Sequence, residues 1–312
     1  MKIGLQIPRF TWPGGATRIG PKLAEVARTA DSQGFSSLWV MDHFYQVGQG
    51  YGAPDEPMLE GYTALAYMAA ATKKIKLGTM VTGAFYRYPG ILVKTVTTLD
   101  VLSGGRAILG IGAGWYWHEA RGMGAPFPET PRERLDRLED TLRAAHHMWS
   151  GDRSTFQGKI YTLETPICSP QPLTRPHPPI MIGGEGEKRT LRLVAKYADA
   201  CNFHLGTHPK LRGYPQGAYE RYAERLERLS HKLRVLERHC RKTGRDPSEI
   251  EASVLSPLEV CPDAMTTGDV VEMCEELADI GIGHVIFNMP NDHEITPLKA
   301  IGRELIPQVR DL

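Results

Sequence analysis

Residues 75–112, "IKLGTMVTGAFYRYPGILVKTVTTLDVLSGGRAILGIG", set two short apolar runs, 75–81 and 106–112, on either side of a stretch at 90–103 with helical character. Strands separated by a helix-length connection do not form a tight hairpin. They pair in parallel through a crossover. Moving towards the N-terminus, "KIGLQI" (2–7) reads as a strand, and Ile19, Leu23, Val26, Ala27 and Ala30 then occupy one helical face before Gly34 ends it. "SSLWVM" (36–41) and the helix through "YTALAYMAAAT" (62–72) complete the next unit.

Towards the C-terminus, Thr130, Pro131 and Glu133 form a capping box with proline at the first helical position, ahead of Leu135, Leu138, Leu142, Ala145 and Trp149 at intervals of three and four. The Pro-rich segment 156–179 begins with a possible hairpin and reads as an insertion. Strands at 179–184, 199–203, 250–255 and 284–288 then alternate with helices, the longest at about 219–240. Eight strand and helix units favour closure of a parallel sheet into a (β/α)8 TIM barrel, one domain over 1–312. A doubly wound open sheet is the alternative, and the first unit lacks the G-x-G-x-x-G that opens many of those.

The long helix carries Tyr222, Leu226, Leu229, Leu233, Leu236 and Cys240 in a heptad-like seam, best read as packing on the barrel wall. The 312-residue chain has 37 Lys and Arg against 36 Asp and Glu, a formal net charge of +1, which excludes broad electrostatic recruitment of nucleic acid or anionic membrane. No apolar run approaches a membrane span and the N-terminus lacks a signal-peptide core, so a cytoplasmic protein is expected. Five cysteines, Cys168, Cys201, Cys240, Cys261 and Cys274, contain no C-x-x-C pair and suit reduced thiols. His204 and His208 stand four apart, but Gly206 and Pro209 make their segment a loop without a third ligand, so no metal is expected.

In such a barrel the working end lies where strands finish. That rule selects Asp42 and His43 after the second strand, Thr79 to Thr82 after the third and Gly112 to Tyr116 after the fourth. It adds Gly183 to Glu187 after the fifth, Asn202 after the sixth and Asn288 after the eighth. The set is poor in hydrolytic machinery and rich in bare backbone and aromatics. Gly183, Gly184 and Gly186 precede a helix whose first turn carries Lys188, Arg189 and Thr190, which suits a phosphate, although a tight strand-to-helix turn needs the same glycines. Gly110, Gly112 and Gly114 either clear backbone for a flat ligand or relieve crowding inside the barrel. Adjacent strand residues point to opposite faces, so Asp42 and His43 are not expected to bond each other, and His43 is the better candidate for a proton donor or acceptor.

Together "LWVMDHF" (38–44), residues 73–124, "MWSG" (148–151), "SPQPLTRPHPPIMIGG" (169–184) and 188–203 resemble the bacterial luciferase-like flavin oxidoreductases, in particular their coenzyme F420-dependent branch. The resemblance implies a deazaflavin or flavin held across the strand ends of a TIM barrel, in a homodimer. Carried over residue by residue, it places Asp42 and His43 near the ring and a non-prolyl cis peptide at Met80-Val81, beside Thr82, in a bulge supporting it. It places the backbone of Gly112, Ala113 and Gly114 beside the ring and the phosphate in the turn of Gly183, Gly184, Glu185, Gly186 and Glu187, with an acidic tail towards Lys188 and Arg189. Where sugar-phosphate dehydrogenase members have a glutamate after the strand-four glycine, this chain has Trp115. Trp115 and Tyr116, with Asn202, therefore suggest a site for an apolar or aromatic small molecule. The function implied is hydride transfer between coenzyme F420 and that substrate, with an FMN-dependent monooxygenase or a non-catalytic flavin-binding relative as alternatives.

Overall fold

The computed structural model describes the chain except residues 49–50, 207, 209–217 and 261–263, and except the side chains of 218–221. Eight parallel strands form the sheet: β1 (Lys2–Ile7), β2 (Ser37–Val40), β3 (Lys76–Thr79), β4 (Ala107–Gly112), β5 (Ile180–Gly183), β6 (Ala200–His204), β7 (Glu251–Pro257) and β8 (His284–Asn288). β1 pairs with β8, as in Leu5 opposite Phe287, while β3 pairs with β4 through Leu77 and Ala107, so the sheet closes into a (β/α)8 barrel. Each strand is buried on both faces, which is why the runs read as nearly continuous apolar stretches rather than alternating ones.

The surrounding helices are α1 (Ala16–Ser32), α2 (Gly61–Ala71), α3 (Pro89–Ser103), α4 (Trp117–Gly122), α5 (Pro131–Trp149), α6 (Thr190–Tyr197), α7 (Ala218–Thr243), α8 (Thr267–Asp279) and α9 (Ile295–Ala300). At the start of α5 the Thr130 side chain accepts the Glu133 amide, but the Glu133 carboxylate turns to Arg137, leaving half of the expected capping box. The α7 seam faces the wall: Tyr222, Leu229, Leu236 and Cys240 are buried, and Leu226 and Leu233 pack against the core. The insertion contains a two-stranded antiparallel hairpin, Phe156–Gln157 with Thr162–Leu163, tied to α5 where Asp140 accepts the amides of Ile160 and Tyr161. The four described cysteines are buried free thiols, and Cys261 lies outside the described residues. No helix among the described residues is long and apolar enough to cross a membrane.

The inside of the barrel is filled by Trp39, Met80, Met181, Ala200 and Ile286. The Trp39 indole donates to Ser37 Oγ at 2.7 Å, Ser37 Oγ meets His284 Nε2 at 2.9 Å, and His284 Nδ1 meets Glu251 Oε1 at 2.8 Å. Burial raises the Glu251 pKa, but His284 and Lys2 outweigh it and hold the carboxyl at about 2. A depressed folded-state pKa contributes stability that is complete above the unfolded value and lost as pH falls. Melting temperature is therefore expected to drop between about pH 4.5 and pH 2, and Glu251→Gln to flatten that part of the profile in calorimetry.

Candidate functional site

The rim at the C-terminal ends of β2 to β7 encloses a cavity of about 480 Å³, within the range of small-molecule sites. Met80, Val81 and Gly83 line it from β3 and its continuation, and Gly112, Ala113, Gly114 and Trp115 from the end of β4. Next to them are Gly183, Gly184 and Glu185 at and beyond the end of β5, with Asn202 and His204 of β6 and Leu255 of β7. His43 and Tyr86 complete it. Two short runs of bare backbone thus face one space, as expected of a shared ligand.

Those glycines also have work within the protein. A Cβ on Gly112 or on Gly183 would stand 3.0 Å from Val81 Cγ2, so both strand ends pack against one valine side chain. A Cβ on Gly114 would stand 2.2 Å from the Phe85 ring, and one on Gly110 would stand 1.8 Å from the Thr79 carbonyl oxygen. Crowding by protein accounts for the glycine pattern, and the open surface beside the cavity follows from it. The Met80-Val81 peptide is cis, and Thr82–Gly83 pairs with β4 beyond it at Ile111 and Gly112. Thr82 itself is buried away from the cavity, its hydroxyl bonded to Tyr62 and Thr79.

After β2 the chain sends Asp42 and His43 in different directions. Asp42 is fully buried and receives Arg87 on both oxygens, Nη1 at 2.5 Å and Nη2 at 3.0 Å. Arg87 also pairs with Glu60 and lies 4.8 Å from the Tyr62 ring centre. Asp42 is therefore a clasp behind the loop and not part of the cavity wall; such a bidentate pair fixes geometry strongly.

His43 Nδ1 lies 2.5 Å from Oε1 of Glu119, a carboxylate that sequence reasoning did not single out. Glu119 is in the first turn of α4, where a helix N-terminus favours an anion. It is fully buried and also receives the Tyr86 hydroxyl and the amides of Phe44 (2.7 Å) and Tyr45 (3.1 Å). Burial alone raises its pKa, but these donors, led by His43, hold it below the ordinary carboxylate value. Burial and the neighbouring carboxylate push the Tyr86 phenol far up, so it keeps its proton. The one available signal for Glu119 was its place a helical turn after Trp115, beside the strand-four rim.

Trp115 is half exposed and meets the His43 ring edge-on at 5.9 Å. Tyr116 stacks on Trp115 at 5.0 Å and donates to the Gln46 carbonyl, so it supports the wall without lining it. Asn202 reaches the cavity while its Nδ2 donates to Ser253. Asn288 does not reach it, donating instead to Gln6 Oε1 and Tyr51. In the turn after β5, Glu185 lines the cavity and is held by Arg225 from α7 at 2.9 Å. Gly186 and Glu187 lie outside the lining; the Glu187 carboxylate takes Lys232 of α7 at 2.7 Å. Arg189 is spent on Asp136 of α5 at 2.6 Å. No group of three metal-ligating side chains occurs among the described residues.

Comparisons with known proteins agree with this architecture. An F420-dependent glucose-6-phosphate dehydrogenase of Nakamurella multipartita is 27% identical, the match covering 97% of each chain. The solved coenzyme F420-dependent tetrahydromethanopterin reductase of Methanopyrus kandleri superposes with a TM-score of 0.76 at 17% identity, over 99% of both chains. A monooxygenase of Streptomyces bottropensis superposes with a TM-score of 0.77 at 16% identity, over 98% of this chain and 99% of that one. These two share the fold. The model of the luciferase-like monooxygenase family matches residues 1–271, and with the closed barrel and its rim cavity this places the chain in the luciferase-like monooxygenase family.

Proposed function

We propose that this chain is a coenzyme F420-dependent oxidoreductase, transferring a hydride between the deazaflavin and an apolar or aromatic organic substrate. The observation that carries the reading is a histidine braced by a buried carboxylate on the wall of a cavity lined mostly by glycines and apolar side chains. The curated relative above, similar over nearly its whole length, supports the choice of cofactor.

The residues suit a planar redox ring. Gly112 and Gly183 face one space and stand side by side, a Cβ on Gly112 lying 3.3 Å from the Gly183 carbonyl oxygen. The amides of Ala113 and Gly114, on the same wall, have no acceptor among the described residues and are free to donate to a ligand. Met80, Val81, Ala113 and Gly114 would support the ring, with Gly183 and Gly184 towards its phosphate arm. When bound, the deazaflavin supplies a two-electron hydride carrier at C5. His43 holds or moves the substrate proton, and Trp115 and Leu255 offer apolar surface that keeps water from the reacting carbon. Glucose 6-phosphate is not proposed as the substrate: Trp115 occupies the strand-four position, and the described cavity wall presents no lysine or arginine.

Titration of the purified chain with coenzyme F420 and with FMN, read by fluorescence, tests the reading. F420 is expected to bind at least about tenfold more tightly, a difference of about 1.4 kcal/mol. Preference for FMN would overturn the assignment and favour the monooxygenase reading.

The partner proposed is a second copy of the chain, seated on the outward faces of α2 and α3. Ile91 and Leu102 are exposed there and line one groove between α2 and α3. Light scattering is expected to give a dimer, and Ile91→Glu with Leu102→Glu a monomer.

A further inference from the structure

Four donors converge on Glu119. His43 Nδ1 and the Tyr86 hydroxyl reach Oε1, and the amides of Phe44 and Tyr45 reach Oε2. Each carboxylate oxygen has about two acceptor positions, so both are filled and no place remains for a proton on the acid. A carboxylate so occupied can only accept, and the nitrogen facing it must carry hydrogen. In neutral His43 the hydrogen is therefore on Nδ1, and the lone pair is on Nε2, which has no partner among the described residues. Tyr86 spends its single hydrogen on Glu119 and presents only oxygen lone pairs to the cavity.

We propose that Glu119 is a positioning residue that locks the tautomer of His43 and, together with Tyr86, makes this corner of the cavity a pure hydrogen-bond acceptor. A substrate group that meets this corner while His43 is neutral therefore donates a hydrogen bond to it, an inference that rests on the oxidoreductase reading above. Around His43 the other ionisable groups are Tyr116, edge-on at 5.9 Å, and the Asp42–Arg87 pair one residue back, whose charges oppose each other.

The tautomer is measurable without cofactor or substrate, so its failure is distinct from failure of the oxidoreductase reading. Long-range proton–nitrogen NMR on the full chain with nitrogen-15-labelled histidine is expected to show neutral His43 with hydrogen on Nδ1. In Glu119→Gln the amide cannot serve all four donors at once. Its NH₂ either faces the Phe44 and Tyr45 amides or faces His43, which then changes tautomer. The two fixed backbone amides retain the carboxamide oxygen, so the NH₂ faces His43 and the variant is expected to show the Nε2–H form. Tyr86→Phe, which keeps the histidine contact, is expected to retain the Nδ1–H form. Wild-type His43 with hydrogen on Nε2 overturns the proposal, as does Glu119→Gln with the tautomer unchanged. If that variant does not fold, the wild-type tautomer decides alone.

Discussion

His43→Ala is expected to lower kcat/KM by about 10²–10⁴-fold, the usual contribution of one general acid or base, while leaving F420 affinity within about threefold. The asymmetry follows from where the ring sits. Its Nδ1 is engaged by Glu119 behind the wall, and what reaches the cavity is the far edge of the imidazole, beside Trp115 rather than in the glycine-lined floor. The floor is backbone and Val81, and the alanine variant leaves it intact. Equilibrium titration paired with steady-state kinetics on the same preparation checks this. Parallel loss of affinity and turnover would make His43 a cofactor ligand instead of a proton carrier, and unchanged turnover would remove it from the chemistry.

The second large effect is structural. Gly110→Ala is expected to destabilise the fold by about 3 kcal/mol or more, at the upper end of overpacking, and to lower Tm by about 5 °C or more for a chain of this size. The added methyl would lie 1.8 Å from the Thr79 carbonyl oxygen and 3.5 Å from Trp39 inside the barrel. A flexible side chain could yield, but a backbone carbonyl cannot move without moving β3. That strand leads into Met80 and Val81, so a folded fraction of the variant is expected to bind cofactor more weakly as well. Gly283→Ala, with open space around its Cβ and no positive φ, serves as the comparison and is expected to change stability by less than about 1 kcal/mol. Similar Tm values for the two variants would show that crowding at β3 and β4 is not what requires glycine at 110.

The barrel was legible because its information is local. Runs such as 75–81 and 106–112, spaced by a helix length and repeated eight times, encode strand and crossover through nearest-neighbour chemistry, and a closed parallel sheet is what eight such units can bury. The same logic found His43, Gly112 to Trp115, Gly183 to Glu185 and Asn202, since residues at strand ends share one rim. Asp42, Thr82, Tyr116, Gly186 and Glu187 neighbour the lining in sequence but turn to Arg87, Tyr62, Trp115, α6 and α7 in space.

Glu119 marks the boundary between the two kinds of information. It lies 76 residues from His43, in a short helix whose sequence shows an ordinary acidic first turn. Its partners come from the loops after β2 and β3, and only closure of the barrel brings them within hydrogen-bond reach. The amino-acid order by itself determined the element types, their succession and the rim on which chemistry sits, because these depend on periodicity and spacing. Which rim residues turn inward, and which carboxylate governs the histidine, was decided by the tertiary structure, because side-chain direction and burial depend on neighbours distant along the chain.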